Sequence, residues 1–399
     1  MSIVHSGTHN HLSGPDFFNA QVRIGKQLWA GNVEIHVNAS DWYAHHHESD
    51  GNYDNVILHV VWNDDVSVYR KEGTEIPTFE LKDLIDPQLL NGYQKLMKGN
   101  DGQFINCGKD ICEVSEFNFK NWQDRLYLER LEEKSQVIIH LLEEFNNDWE
   151  KVLFTMLLKN FGSKINGEAF FQLGKDLNFS QVRHLIGKPL ELESLFFGMT
   201  GLLETDDILD SYYIELQNSY RYLSSKYDLG TFRSPKASFF KLRPLNFPTI
   251  RLSQFAMLYS GSNNLFNELV YCSTEEIYKR FRISASSYWD THFNFGKKSK
   301  NSRKIVSKKF IDLLIINTLI PVRFCYFRSK GNYNSDSLLF LIQDIKEEKN
   351  SIIENFKLLG LSVDSAFESQ SLLQLYSNYC TKNKCLKCTV GTNLLNLKS

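Results

Sequence analysis

Residues 13–37 read SGPDFFNAQVRIGKQLWAGNVEIHV, and this stretch decides the fold of the N-terminal part. AQVRIG and QLWAGNVEIHV are short runs rich in β-branched and aromatic residues, which predicts the two strands of a hairpin. The alternation in NVEIHV places Val33, Ile35 and Val37 on one strand face and Glu34 and His36 on the other. Two ionisable side chains on one face are unusual in a core and typical of a metal site.

Asp16 adds a second carboxylate to this pattern. It follows a Gly-Pro turn at the start of the first strand, so antiparallel pairing can bring it close to Glu34 on the second strand. Mg²⁺ or Mn²⁺ prefers such oxygen ligands, and His36 can bind a metal or accept a proton. The alternative is that Asp16 bonds only to its own turn, while Glu34 and His36 lie on a solvated face.

A histidine run follows in SDWYAHHHESD, where Ser40 can cap a short helix through DWYAHHH. Consecutive helical residues are about 100° apart, so His45, His46 and His47 cannot all face one metal. We expect one or two of them at most to join the site, and the alternative is a polar helix face. His59 lies within the apolar run NVILHVVW, where we expect a hydrogen-bonded core histidine.

The hydrophobic period changes along the chain, which predicts an α+β protein of two domains. Residues 1–105 read as a small mixed α/β domain, with NVILHVVW as a central strand covered on both faces. Apolar residues then recur at three- and four-residue spacing from Phe117 to about Asn147, as in one long helix. Helical patterns continue from there, so residues 106–399 are predicted to form a large all-α domain.

Composition excludes several classes of protein. A net charge of −2 gives no overall field for a polyanion, so nucleic-acid binding would need a local basic patch. The N-terminus is polar, and the apolar stretch 310–322 contains Asp312 and is shorter than the ~18 residues of a membrane span. Seven cysteines without a secretory signal read as thiols. We expect a soluble cytoplasmic protein without a membrane partner; the oligomeric state is not indicated.

Cysteines near the C-terminus form a second candidate site. YCTKNKCLKC places Cys380, Cys385 and Cys388 in a C-x₄-C-x₂-C pattern, and INCGKDIC supplies Cys107 far upstream. Four thiolates suit a structural Zn²⁺ ion or an iron–sulfur cluster, and neighbouring lysines favour the thiolate form. The alternative is that these are buried, inert thiols.

Two basic segments are candidates for anion or nucleic-acid binding. The first, FGKKSKNSRKIVSKK, has no acidic residue; its candidate contacts are Lys297, Lys298, Lys300, Arg303 and Lys304.

The second segment is KLRPLNFPTIR, with Arg243 and Arg251. Pro248 suits the first turn of a helix, where the amides of Thr249 and Ile250 would be available to an anion. The alternatives are a solvated loop for the first segment and a buried bracing arginine for the second.

GPDF, a hairpin, E-x-H, a helix and an apolar strand together resemble the αβββαβ core of the PD-(D/E)XK nuclease superfamily. The resemblance implies that Asp16 and Glu34 bind Mg²⁺. The superfamily has a lysine where this chain has His36, so water activation differs or is lost. The leading helix and first strand of the core are also largely missing. Several members bind an iron–sulfur cluster through one upstream and three C-terminal cysteines, and the arrangement here is similar.

GPDFFNAQV, GNVEIHVNASDW, NVILHVVW, LRPLNFPTIRLSQFA and YCTKNKCLKC together resemble the bacterial family called domain of unknown function 2851, over nearly the whole chain. That family brings no established activity. Three functions stay open: a Mg²⁺- or Mn²⁺-dependent nuclease with Asp16, Glu34 and His36 in the site, a catalytically inactive nuclease-like scaffold or binding protein, and a metal hydrolase of another small substrate. Retention of both acids favours the nuclease.

Overall fold

The computed structural model describes residues 1–10, 12–98, 102–205, 207–229, 235–331 and 336–397. The chain divides into two compact units, one of Met1–Asp110 with Cys385–Ser399 and one of Ile111–Lys384. The first unit carries a mixed β-sheet and the second is mostly helical, so the predicted α+β class is confirmed.

The elements of the first unit are β1 (Ser2–His5), β2 (Thr8–His9), β3 (Phe17–Ile24), β4 (Gln27–Asn38), α1 (Asp41–Ala44), β5 (Val56–Asn63), β6 (Thr78–Glu80), α2 (Pro87–Met97) and α17 (Thr389–Leu397). The strand order is β1-β3-β4-β5-β6, and β2 also pairs with β3. The pair β3–β4 is the predicted antiparallel hairpin, turned at Gly25 with φ 62°. β4, β5 and β6 run parallel.

The crossover from β4 to the parallel strand β5 covers one face of the sheet. It runs through α1 and two single-turn 3₁₀ helices, His47–Ser49 and Gly51–Tyr53. Trp42 and Tyr53 from this crossover pack with Val56 and Val61 of β5 in one apolar cluster. The opposite face of the sheet holds a second cluster, in which β3, β4 and β5 all contribute side chains. As predicted, β5 is a central strand with both faces covered.

The C-terminal segment returns to the first unit, which differs from the predicted division at 105/106. Leu96 of α2 and Leu395 of α17 share an apolar cluster with Cys385. A unit of about 100 residues buries a limited fraction of its surface, so a returning helix adds apolar contacts that the N-terminal segment lacks. The predicted cysteine site had implied that the C-terminal tail returns to the region of Cys107, which packs against this cluster.

The helices of the second unit are α3 (Glu116–Glu144), α4 (Trp149–Phe161), α5 (Ser163–Asp176), α6 (Phe179–His184), α7 (Pro189–Met199), α8 (Ser211–Tyr227), α9 (Pro248–Ser260), α10 (Leu265–Val270), α11 (Thr274–Phe281), α12 (Lys308–Leu314), α13 (Ile320–Ser329), α14 (Asp336–Gln343), α15 (Ser351–Leu358) and α16 (Ala366–Leu375). The predicted long helix is α3, within a few residues at each end. The expectation of helices throughout this region was wrong at one place, where β7 (His292–Asn294) and β8 (Lys297–Lys298) form a small hairpin.

One continuous helical run, Lys308–Ser329, is long and apolar enough to cross a membrane by length and composition. It comprises α12, the π-helical turn Ile315–Leu319 and α13. Because 67% of its most apolar window is buried inside the protein, it also fits the description of a core helix. The absence of a membrane partner stays a prediction.

Candidate metal centre

The candidate site lies on the face of β4 that the crossover covers. Glu34 is 6% exposed and His36 is half-buried, whereas Ile35 and Val37 on the opposite face are 44% and 63% exposed. The polar side chains of this strand segment therefore point inward and the apolar ones outward. Trp42, 1% exposed, closes the same face beside the imidazole rings of His47 and His59.

Asp16 and Glu34 are held together by two reciprocal hydrogen bonds. The backbone N–H of Asp16 donates to Glu34 Oε2 at 3.0 Å, and the backbone N–H of Ile35 donates to Asp16 Oδ2 at 3.0 Å. Phe17 pairs with Val33 at this end of the hairpin, which fixes the register of the two acids. The structure thus brings the two predicted carboxylates to one place, each with one oxygen oriented by a backbone amide.

Two residues of the histidine run join this place. The predicted helix through DWYAHHH was wrong in its extent, because α1 ends at Ala44 and His46 takes a left-handed conformation with φ 61° and ψ 30°. That reversal turns His45 and His47 toward His36, while the His46 side chain stays 82% exposed. The expectation that at most two of the three face the site is confirmed.

The ligand atoms lie at mutual distances suited to one metal ion. His36 Nε2 is 3.1 Å from His45 Nδ1, and Glu34 Oε1 is 3.5 Å from both His36 Nε2 and His47 Nε2. A tetrahedral ion with bonds of 2.0–2.1 Å has ligand–ligand distances of about 3.3 Å. In the described part of the chain, His36, His45 and His47 form the one group of three such side chains whose ligand atoms all lie within 4.8 Å of one another.

His59 orients the central imidazole. Its Nε2 lies 2.8 Å from His36 Nδ1, and its side chain is fully buried. The core position predicted for His59 is therefore confirmed, and its partner is a site residue. If His36 donates Nδ1–H to His59, the lone pair of His36 Nε2 faces the other ligand atoms, as a metal-binding histidine requires. Sequence reasoning did not connect His59 with the site because the parallel pairing of Glu34 with His59 follows from the crossover.

Burial shifts the protonation of these groups. Desolvation, reinforced by the charge of Asp16, raises the pKa of Glu34 to about 7. Desolvation and the neighbouring imidazoles lower the pKa of His36 and of His59 to about 4, and desolvation also lowers the pKa of His47. The imidazoles of His36, His47 and His59 are therefore neutral at neutral pH, which is the form that binds metals.

The donor set decides which ions fit. Mg²⁺ keeps oxygen ligands and several waters, whereas imidazole suits Zn²⁺ and related transition metals. One carboxylate with three imidazoles therefore fits Zn²⁺ or Mn²⁺ better than Mg²⁺. The expected Mg²⁺ or Mn²⁺ ion stays a prediction.

The cysteine set is divided between the two units. Cys107, Cys385 and Cys388 belong to the first unit, where Cys385 and Cys388 are buried. Burial, with the nearby Cys388 and Cys385, raises the pKa of the Cys107 thiol to about 12. Cys380 lies in the second unit, at the end of a π-helical turn. Zn²⁺ or iron–sulfur binding by these thiols stays a prediction.

The basic segments lie in the helical unit and differ in exposure. Side chains that are exposed to solvent belong to Arg243, Lys297, Lys298, Lys300 and Arg303. Lys304 is an exception, because it is fully buried and its ammonium donates to the carbonyl of Ser302 at 2.8 Å and to that of Asp290 at 3.2 Å. A surface phosphate contact expected of Lys304 does not agree with this position. Arg251 is also buried.

Comparison with protein families identifies the family of the chain. The family described as "Protein of unknown function (DUF2851)" matches residues 1–351, and the protein belongs to it. Searches of curated proteins and of solved structures return no match. The family resemblance expected from the motifs is therefore confirmed, and the likeness of the N-terminal part to a nuclease core stays a hypothesis.

Proposed function

We propose that this protein is a divalent-metal-dependent phosphodiesterase acting on nucleic acid, whose ion is bound by Glu34, His36, His45 and His47. One observation carries the proposal: donor atoms of β4 and of the crossover lie close together beside a second carboxylate, Asp16. His36 Nε2 is 3.1 Å from His45 Nδ1, and Glu34 Oε1 is 3.5 Å from His36 Nε2 and from His47 Nε2. A solvated strand face would not gather these side chains under a buried tryptophan.

The path of the chain supports phosphodiester chemistry. Glu34 lies on β4 and Asp16 directly precedes β3 of the same antiparallel hairpin, which a helical crossover joins to the parallel strand β5. This is the path that the resemblance to the PD-(D/E)XK core implies for the strands carrying its acids. The exposed cations Lys297, Lys298, Lys300 and Arg303 of the same chain are of the type that contacts nucleic-acid phosphates.

Each side chain has a role that its contacts favour. A bound divalent ion supplies Lewis-acid chemistry, because it polarises a phosphoryl oxygen and lowers the pKa of a water molecule. Glu34 and the three imidazoles hold the ion. The Ile35 amide engages Asp16 Oδ2, so we assign the other oxygen, Oδ1, the role of accepting a proton from the attacking water.

His36 replaces the lysine of the nuclease pattern, and its contacts favour a ligand over a base. Nδ1 is engaged with His59, and Nε2 points toward His45 and Glu34. A general base needs a nitrogen open to the reacting water, which His36 lacks once Nε2 binds metal. Water activation therefore falls to the ion and Asp16.

The test is a cleavage assay with oligonucleotides. DNA and RNA, single- and double-stranded, are incubated with Mn²⁺, Zn²⁺, Mg²⁺ or a chelator. We expect metal-dependent cleavage by the wild type and a loss of about a hundredfold or more for Glu34→Gln and His45→Ala. His46→Ala is the matched control and should cleave as the wild type does. Equal cleavage by Glu34→Gln and wild type would refute this assignment.

A second candidate function follows from the same donor set. Four protein ligands fill a tetrahedral Zn²⁺ site, and closed sites of this kind are structural. The protein would then be a nuclease-like scaffold in which the ion ties the crossover to the sheet. Tight zinc binding with a raised melting temperature, but no cleavage with any metal tested, would favour the scaffold.

A further inference from the structure

We infer that the helical unit contains an anion site, at the N-terminus of α9, that binds a phosphate group through Arg251. The group is a phosphate monoester or diester, carried by a small nucleotide or by a nucleic-acid strand. This inference rests on residues of the second unit alone and does not depend on the proposed metal-dependent activity.

A cavity of about 530 Å³ opens at this helix end. Its walls include Arg243, Asn246, Arg251, Gln254, Phe293 and Ser307. The volume lies within the range of small-molecule sites, and the lining combines few polar groups with apolar surface, as such sites do. Leu245 and Ile305 at the same cavity are 57% and 42% exposed, so a ligand can enter from solvent.

Arg251 lines this cavity and is 93% buried, since its exposed fraction is 7%. Its Nη1 donates to Gln254 Oε1 at 2.9 Å and its Nη2 to Asn246 Oδ1 at 2.6 Å. Nε is buried and has no hydrogen-bond partner among the described residues. Burial lowers the pKa of the guanidinium to about 10, and no carboxylate opposes the shift. A buried cation without a counter-charge is unfavourable unless a ligand supplies one.

α9 begins three residues before Arg251, so the dipole at its N-terminus acts near the cavity that Arg251 lines. The helix begins at Pro248, no side chain of the described residues caps its N-terminus, and its first turn contains no acid. Thr249 and Ile250 are fully buried, so their amides lie away from bulk water. The dipole of this 13-residue helix favours an anion at the N-terminus. It is unfavourable for the positive charge of the guanidinium, which extends toward Asn246.

Neighbouring contacts hold the guanidinium in a fixed orientation. Gln254 is itself anchored, because its Nε2 donates to the Lys304 carbonyl at 2.7 Å. The Phe310 ring lies under the guanidinium, with its centroid 3.6 Å from Cζ. An arginine that only braced the fold would be satisfied by these amides and this ring. The unpartnered Nε, the uncapped helix end and the cavity together distinguish an anion site from a brace.

Phosphate matches these groups in shape and charge. A fixed guanidinium donates to phosphate oxygens with defined geometry, and the helix dipole adds positive potential. Arg243, exposed at the cavity, adds a second cation. Apolar surface from Leu245 and Ile305 gives a place for the organic part of a nucleotide.

The experiment measures binding to the full-length protein by isothermal titration calorimetry, with a chelator present so that the metal centre does not contribute. The probes are inorganic phosphate, adenosine 5′-monophosphate and a single-stranded oligonucleotide without a terminal phosphate. Arg251→Gln removes the buried cation. Leu245→Glu places a carboxylate at the exposed rim without disturbing the core, and Leu209→Glu, at a residue 90% exposed elsewhere, is its matched control.

We expect millimolar or tighter binding of at least one probe, weakened tenfold or more by Arg251→Gln and by Leu245→Glu, and unchanged by Leu209→Glu. Tighter binding of the mononucleotide than of inorganic phosphate identifies a small nucleotide as the source, and binding of the oligonucleotide alone identifies a strand. No binding of any probe by the wild type overturns the inference. If Arg251→Gln does not fold, unchanged binding by Leu245→Glu overturns it equally.

Discussion

Replacing His45 tests whether the histidine group binds a metal ion, because an adjacent histidine outside the group serves as a control. His45 and His46 are adjacent and both exposed, yet only His45 has a ring nitrogen beside His36, at 3.1 Å. Neither contributes to an apolar cluster, so alanine at either position leaves the core intact. The pair therefore isolates ligand geometry from residue type, charge and position in sequence.

The expected magnitude follows from the number of donors. A structural four-donor Zn²⁺ site provides about 10–16 kcal/mol of binding free energy near neutral pH. One donor of four corresponds to about 2.5–4 kcal/mol, or roughly a 10²- to 10³-fold change in affinity. His45→Ala should weaken Zn²⁺ binding by this factor, and His46→Ala should leave it within about twofold.

The measurement is competition for Zn²⁺ against a chromophoric chelator, with the melting temperature of each variant as a control for folding. Co²⁺ gives an independent readout, because its visible absorption reports coordination number. Equal affinities for His45→Ala and His46→Ala, with both proteins folded, would refute the assignment of the histidine group as a metal centre.

Three further predictions concern the metal and the fold. Zn²⁺ should bind more tightly than Mn²⁺, yet Mn²⁺ should support faster cleavage of oligonucleotides. Four protein donors fill the coordination sphere of a tetrahedral ion, whereas they leave positions of an octahedral ion open for water and substrate. Faster cleavage with Zn²⁺ would contradict this prediction. Burial lowers the pKa of Lys134 from 10.5 to about 7, so the folded state binds fewer protons than the unfolded state between these values. In urea unfolding, the free energy of unfolding of the wild type should therefore rise relative to that of Lys134→Met by up to about 1.4 kcal/mol per pH unit from pH 7 to pH 9. A difference between the two proteins that does not change with pH would refute this prediction. Gly31→Ala should lower the free energy of unfolding by about 1–3 kcal/mol, because a Cβ there would lie 2.5 Å from Ile57 Cγ2 and 2.6 Å from the Asn55 carbonyl oxygen. Gly92→Ala in α2, whose Cβ makes one contact at 3.4 Å with a leucine side chain, is the control and should not destabilise the protein.

Local pattern was enough to predict the hairpin and its two acids. Alternation in NVEIHV put Glu34 and His36 on one face, and antiparallel pairing then required Asp16 to lie near Glu34. The long helix α3 was equally readable, because a 3.6-residue period sustained over many turns has no competing interpretation. These features depend on residues close in sequence, or on one turn between two strands.

The remaining parts of the site depended on events that sequence periodicity does not encode. A helix carried through His47 would have separated His45 from His47 by about 200°. His46 takes a left-handed conformation, which ends the helix before His47. A positive φ at a non-glycine residue is uncommon and is seldom predicted from sequence. His59 reaches the site through the register of two parallel strands that a 17-residue crossover joins. The return of α17 to the first unit depends on residues still further apart in sequence.

Two charged groups packed inside the helical unit are satisfied by neighbouring side chains. Glu193 is buried, and Tyr212, Ser286 and Trp289 donate to its carboxyl group. Lys134 donates to two side-chain amide oxygens at 2.9 Å.

Glu34, in contrast, has no lysine or arginine partner among the described residues, and its imidazole neighbours are neutral at neutral pH. Arg251 has no acid and an unpartnered Nε. A buried charge that its own chain does not neutralise calls for a ligand of the opposite sign. By that criterion we expect the first unit to bind a cation and the second to bind an anion.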